Sequence, residues 1–198
     1  TYLVDCGGST GQKSADAAME YLYSIGIFRI DGMILTHSDA DHVNGAALLT
    51  GRMPIGETYG IADTDVLITQ RTEITFADCK ITIFPGLTSG TDNEKSLSVL
   101  FQPGKRAILI TGDQTVAGEN ALVAVGLPNL DYLVVGHHGS DTSTGETLLS
   151  ATRPLCAVIS VGANNRYGHP DQTVLDRLAA YGCTVLRTDQ NGTIIIRG

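Results

Sequence analysis

Thr36-His37-Ser38-Asp39-Ala40-Asp41-His42 sets two imidazoles and two carboxylates within a few residues, directly after the apolar run Met33-Ile34-Leu35. Alternate residues of an extended loop point the same way, so His37 and Asp39 can share one ion. Asp41 and His42, where the chain turns into a helix, can face a second. The competing reading is a solvated loop in which Asp39 or Asp41 caps that helix. Four ligating side chains in so short a stretch favour metal binding.

The same signal, polar groups at the end of an apolar run, recurs further along. Asp113 ends Ile110-Thr111-Gly112-Asp113, where its two oxygens can bridge two ions or, more plainly, cap the next helix. His137-His138-Gly139-Ser140 follows Tyr132-Leu133-Val134-Val135-Gly136. One histidine of the pair reads as an ion ligand and the other as a group supporting it or touching substrate. His137, nearer the strand, is the expected ligand. His169, in Asn165-Arg166-Tyr167-Gly168-His169-Pro170, can polarise a phosphoryl oxygen or protonate a leaving group, unless it is a turn histidine. These histidines are all five that the chain contains.

Composition narrows the setting. With 198 residues, 42% hydrophobic and 17% charged, the chain is a folded domain with a real core rather than a disordered segment. A net charge of −8 argues against broad electrostatic binding of nucleic acid, though bound dications would offset part of it. Cys6, Cys79, Cys156 and Cys183 have neither metal-ligand nor disulfide spacing and read as small core residues. No apolar run approaches the ~20 residues that span a bilayer. The chain opens inside a strand-like run, so a piece of something longer is expected.

Strand and helix signals alternate throughout. Strands are expected over 2–5, 33–36, 130–135 and 156–161. Antiparallel pairs are expected around Ile74, Phe76, Ile81 and Ile83, joined at Ala77-Asp78-Cys79, and between 96–101 and 107–110. A helix capped by Ser14 should run to about residue 24, with Ala18, Leu22 and Ile25 on one face and Gly26 as its stop. Further helices fit 43–49, 116–125 and 172–181. A closing hairpin, 184–187 with 193–196 over Asn191-Gly192, completes a layered α/β domain.

These residues together resemble the metallo-β-lactamase superfamily. More narrowly, they are similar to the C-terminal metallo-β-lactamase-like domain of ComEC-type DNA-internalisation competence proteins. The matching pieces are Val4-Asp5-Cys6-Gly7-Gly8, the 35–42 cluster, Asn93-Glu94-Lys95-Ser96-Leu97, Leu109-Ile110-Thr111-Gly112-Asp113, His137-His138-Gly139-Ser140, Ala157-Val158-Ile159-Ser160-Val161-Gly162 and Tyr167-Gly168-His169-Pro170. They run in order over nearly the whole chain. The resemblance implies a four-layer αββα sandwich, a single domain over residues 1–198, and a place within a larger bacterial membrane protein, on its extracytoplasmic side. Two departures stand out. The superfamily usually supplies another metal histidine between the first cluster and the bridging aspartate, and no histidine lies between His42 and Asp113. Asp92, Asn93 or water would take that place. The leading hairpin with its Gly-Gln-Gly-Asp run is also missing before Thr1.

The expected activity is that of a metal-dependent hydrolase, a phosphodiesterase or nuclease in which an activated hydroxide attacks phosphorus. His37, Asp39, Asp41, His42, Asp113 and His137 form the metal set, and Asp41, His138 and His169 the catalytic set. The oxygen-rich ligands and the resemblance favour a pair of Mn²⁺ ions, with Zn²⁺ as the alternative, and no organic cofactor. The implied partners are DNA, single-stranded by preference, and the membrane channel domain of the same full-length protein. Two rivals stand beside this reading. One is a hydrolase of small esters or lactones. The other is a degenerate, non-catalytic metal domain serving as an interaction module.

Overall fold

The computed structural model describes residues 1–197, which cluster into two compact units, the first over residues 1–70 and the second from Arg71 onward. The first holds strands β1 (Tyr2–Val4), β2 (Ile30–Ile34), β3 (Ile55–Gly60) and β4 (Val66–Leu67), with helices α1 (Gly11–Ser24), α2 (Ala40–Val43) and α3 (Ala46–Thr50). Its four strands lie in chain order and every pair is parallel. Parallel neighbours need crossover connections, which the helices provide after β1 and β2. Ile30, Met33 and Ile34 of β2 are buried, and Ile30 and Met33 share a core with Ala15 and Leu22 of α1 and Leu49 of α3.

Helix α1 starts earlier than the sequence suggested. Thr10 is its cap, accepting the Lys13 N–H at 3.3 Å, while Ser14 sits inside the first turn and donates its hydroxyl to the Thr10 carbonyl. Ile25, expected on the buried face, is 51% exposed, because the helix ends at Ser24 and Gly26 turns the chain with φ +78°. The helix expected over 43–49 is two short ones. The break at Asn44-Gly45 is tertiary: the Gly45 N–H donates to the Cys6 carbonyl and the Cys6 N–H to the His42 carbonyl, both at 2.8 Å. Any Cβ at Gly45 would meet that Cys6 oxygen at 2.7 Å.

The second unit holds β5 (Thr72–Phe76), β6 (Cys79–Phe84), β7 (Ser98–Pro103), β8 (Ile108–Ile110), β9 (Tyr132–Val134), β10 (Cys156–Ile159) and β11 (Thr184–Arg187). They form one sheet in the order β11-β10-β9-β8-β7-β6-β5. The run from β5 to β8 pairs antiparallel, with the expected turns after Phe76 and Pro103; from β8 to β11 the pairing is parallel. Helices α4 (Val116–Ala124), α5 (Glu146–Thr152) and α6 (Gln172–Ala180) supply the crossovers of the parallel half, and Leu109, Leu133, Ala157, Leu148 and Leu178 fill its core. Helix α5 carried too short a pattern to be read from sequence.

The closing hairpin is not formed. β11 pairs parallel with β10, and Thr188–Asn191 is one helical turn, α7. The Thr188 hydroxyl donates to the Val161 carbonyl at 2.8 Å and the Arg187 N–H donates to Asn191 Oδ1 at 2.9 Å. Asn191 is thereby used inside the turn rather than as a hairpin corner. The thiols are free, with Cys6 and Cys183 buried and Cys79 and Cys156 half-buried. Among the described residues no helix is long and apolar enough to cross a membrane.

Candidate functional site

The first group of predicted residues lies on the segment leaving β2. Thr36 and His37 are buried, and His42, on α2, is 7% exposed. Asp5, just past β1, organises them. It holds a left-handed backbone (φ +57°), with its N–H donating to the Ile34 carbonyl at 2.9 Å. Its Oδ1 accepts the Thr36 N–H at 2.7 Å, and its Oδ2 accepts the Thr36 hydroxyl and the His42 ring nitrogen Nδ1, each at 2.8 Å.

That network fixes tautomers. His42 donates from Nδ1 to the carboxylate, which puts its lone pair on Nε2. The Thr36 hydroxyl has one proton, already directed at Asp5, so it accepts from His37 Nδ1 at 3.0 Å and His37 too carries its lone pair on Nε2. The two rings stand 4.1 Å apart. Asp39 Oδ2 lies 3.7 Å from His37 Nε2, the pairing expected for a shared ion. Asp39 occupies the cap position of α2 without making a side-chain capping bond. Asp41 is exposed in the first turn of α2. Gly7 lets the 5–8 loop come against this segment: a Cβ there would overlap the backbone of Asp41 and His42.

The second group surrounds the ends of β8, β9 and β10. Asp113 is 3% exposed, and its N–H donates to Ser96 Oγ at 3.1 Å. It does not cap α4, whose cap position is Thr115. Its Oδ2 stands 3.7 Å from His137 Nε2. Asn93 Nδ2 is 3.4 Å from the same ring, so Asn93, one of the two residues offered beside water to replace the missing histidine, meets a site residue. Asp92 instead pairs with Lys95 in an exposed contact.

His137 and His138 both adopt left-handed backbone, with φ of +48° and +54°. Such conformations are disfavoured outside glycine and persist where surrounding bonds impose them. Here the His137 N–H donates to the Gly112 carbonyl at 3.0 Å, and the Ser140 N–H returns to the His137 carbonyl at 2.9 Å. The two rings diverge, with centroids 6.5 Å apart. His137 faces Asp113 and, at 5.8 Å, His169. His138 donates from Nδ1 to the Ser160 carbonyl at 2.8 Å, placing its lone pair on Nε2. The basicity of His169 is lowered, first by burial and then by His137 and His138.

Behind this loop sits a residue that the sequence did not single out. Glu119 of α4 is fully buried and accepts the Thr144 and Gly145 N–H groups at 2.7 and 2.8 Å. Burial pushes its carboxyl up to about 7, against those two N–H groups and Arg177, which pull it down. Arg177 donates to the Ser143 and Thr144 carbonyls at 3.0 and 2.7 Å. Asp5 was also missed as a working residue. Its signal, a carboxylate ending an apolar strand, is the one that drew attention to Asp113.

A family model described as the metallo-beta-lactamase superfamily matches residues 1–163. The chain belongs to that superfamily. Its members are in general metal-dependent hydrolases, and the α/β fold of this metallo-β-lactamase chain is theirs. ComE operon protein 3 of Bacillus subtilis (strain 168) is 35% identical over 96% of this chain and 27% of its own length. Competence protein ComA of Neisseria gonorrhoeae is 34% identical over 87% of this chain and 26% of its own. The narrower resemblance to competence proteins therefore stands, and the chain spans about a quarter of these relatives. Among solved structures, the CmlA beta-hydroxylase E377D mutant superposes with a TM-score of 0.61 at 14% identity, covering 83% of this chain and 44% of that one. That likeness speaks for the fold.

Proposed function

We propose that this metallo-β-lactamase domain is a metal-dependent phosphodiesterase acting on single-stranded DNA, one domain of a larger bacterial membrane protein of DNA uptake, on its extracytoplasmic side. One observation carries the hydrolase reading. His37, His42 and His138 each have Nδ1–H committed to a protein oxygen, through Thr36, Asp5 and the Ser160 carbonyl. An imidazole held in this way by its other nitrogen is the arrangement of a metal ligand. The donors therefore fit divalent ions.

His37, Asp39, Asp41, His42 and Asp113 would hold a pair of ions, with one imidazole from the 137–138 loop. We assign that imidazole to His138 on the strength of its Ser160 bond, where the sequence leaned to His137. Three carboxylates among the ligands favour Mn²⁺, with Zn²⁺ as the alternative. Bound, the ions supply Lewis acidity and lower the pKa of water. His137, between Asp113 and His169, is placed to contact a non-bridging phosphoryl oxygen. His169 orients the phosphate or returns a proton to the leaving oxygen.

The purified chain should cleave single-stranded DNA with Mn²⁺ and stop on addition of EDTA, and Asp39→Ala or Asp113→Ala should abolish cleavage. Persistent cleavage in both variants would refute the assignment. The net charge of −8 favours a second reading, hydrolysis of a small ester or lactone. Turnover of a lactone reporter with no turnover of phosphodiesters would select it.

A further inference from the structure

Resting on the reading of the substrate as single-stranded DNA, we propose that Tyr167 and Arg166 form a base-stacking subsite beside the phosphodiesterase centre. Tyr167 is 66% exposed, a large ring held out in solvent. A single exposed aromatic is unremarkable by itself, but this one is held in a fixed place. Asn165 Oδ1 accepts the Tyr167 and His169 N–H groups at 3.2 and 3.0 Å, and its Nδ2 donates to the His169 carbonyl at 2.7 Å. One side chain thus clamps both ends of the turn, and left-handed Asn164 (φ +57°) and Gly168 (φ +76°) complete it.

The clamp sets three rings in a row. His137 and His169 lie 5.8 Å apart, and His169 and Tyr167 lie 6.0 Å apart with only 17° between their planes. The row runs from Asp113, through His137, to solvent. The Arg166 guanidinium lies 5.0 Å from the Tyr167 centroid and donates to its hydroxyl at 2.8 Å. A fixed, solvent-exposed flat ring with a cation over it, next to groups suited to a phosphate, matches an unpaired nucleotide: base against the ring, phosphate on the guanidinium.

The rival ligands fit less well. In a duplex the base faces are already covered by their neighbours, and a small lactone offers no aromatic face. Because the chain is acidic overall, with net charge −8, long-range attraction cannot hold a polyanion. Local stacking must supply much of the grip.

The test measures affinity by fluorescence anisotropy in EDTA, where no strand is cut, using a labelled oligothymidylate and an abasic strand of equal length. Tyr167→Ala should weaken oligothymidylate binding about tenfold and leave abasic binding within about twofold. Tyr167→Phe, which keeps the ring, should restore wild-type affinity. Arg166→Ala should weaken both strands alike and make the salt dependence shallower by about one unit of slope. Equal loss on both strands in Tyr167→Ala, no loss at all, or no binding by the wild-type chain overturns the subsite. A chain that binds through Tyr167 yet cleaves nothing sinks the hydrolase reading and leaves this one standing; cleavage with strand binding indifferent to Tyr167 does the reverse.

Discussion

The two histidine groups are held by different means. In the first unit, one buried network reaches the rings directly: Asp5 binds His42 and, through the Thr36 hydroxyl, fixes His37. In the second unit only His138 has such a direct bond, from Nδ1 to the Ser160 carbonyl. His137 and His138 sit on a strained left-handed turn, and the chain that follows is pinned by Glu119 and Arg177, which touch neither ring. The first arrangement controls which ring nitrogen carries the proton. The second sets the tautomer of His138 alone and otherwise controls where the loop lies.

The largest test of this contrast concerns Glu119. Its carboxyl titrates at about 7 in the folded chain, against an ordinary 4.5. Between those values the folded chain keeps a proton that the unfolded chain has released. Its contribution is fully present below pH 4.5 and is lost as pH rises through 7, about 3 kcal/mol over the interval. Urea denaturation of the metal-free chain at pH 4.5 and 7.5 measures it. Glu119→Gln should remove most of the decline relative to wild type, and an unchanged decline would mean that the loop support lies elsewhere.

Asp5→Ala probes the direct arrangement. Losing the group that orients both rings should lower metal affinity about 10–100-fold. Calorimetric titration with Mn²⁺ or Zn²⁺ reads this, and wild-type affinity would erase the distinction between the two groups. Asp5→Asn keeps an acceptor oxygen and should fall in between.

Thr142→Val should have the smallest effect. Thr142 Oγ1 is 3.4 Å from His137 Nδ1, a long contact from within the supported loop. A weak bond of this kind contributes at most about 0.5 kcal/mol. Cleavage rates should therefore change about twofold or less, and a tenfold loss would show that His137 is also held by a direct side-chain bond.

The candidate site could be picked out because metal chemistry needs particular side chains, and those are scarce in this chain. Five histidines, with Asp39, Asp41 and Asp113 at the ends of apolar runs, stand out without any coordinates. Most strands and helices were legible for the same local reason, since period-two and helical patterns report which face of a segment is buried. What failed did so where distant chain intervened. The 43–49 helix breaks because the Cys6 carbonyl takes the Gly45 N–H, and the final hairpin is absent because β10 offers β11 a parallel partner.

The sequence by itself pointed to the family through its resemblance, and determined most of the alternation of strands and helices and which side chains are candidates to bind metal, because motif spacing and apolar periodicity are local properties. Only the tertiary structure decided that Asp5 governs two imidazoles 32 and 37 residues away, that His138 rather than His137 turns its Nδ1 to a carbonyl, and that Glu119 underpins the loop. The physical reason is that a tautomer, like a carboxyl group's affinity for its proton, is set by what lies within about 3 Å in space. In a parallel sheet those neighbours arrive from strands and loops far apart along the chain.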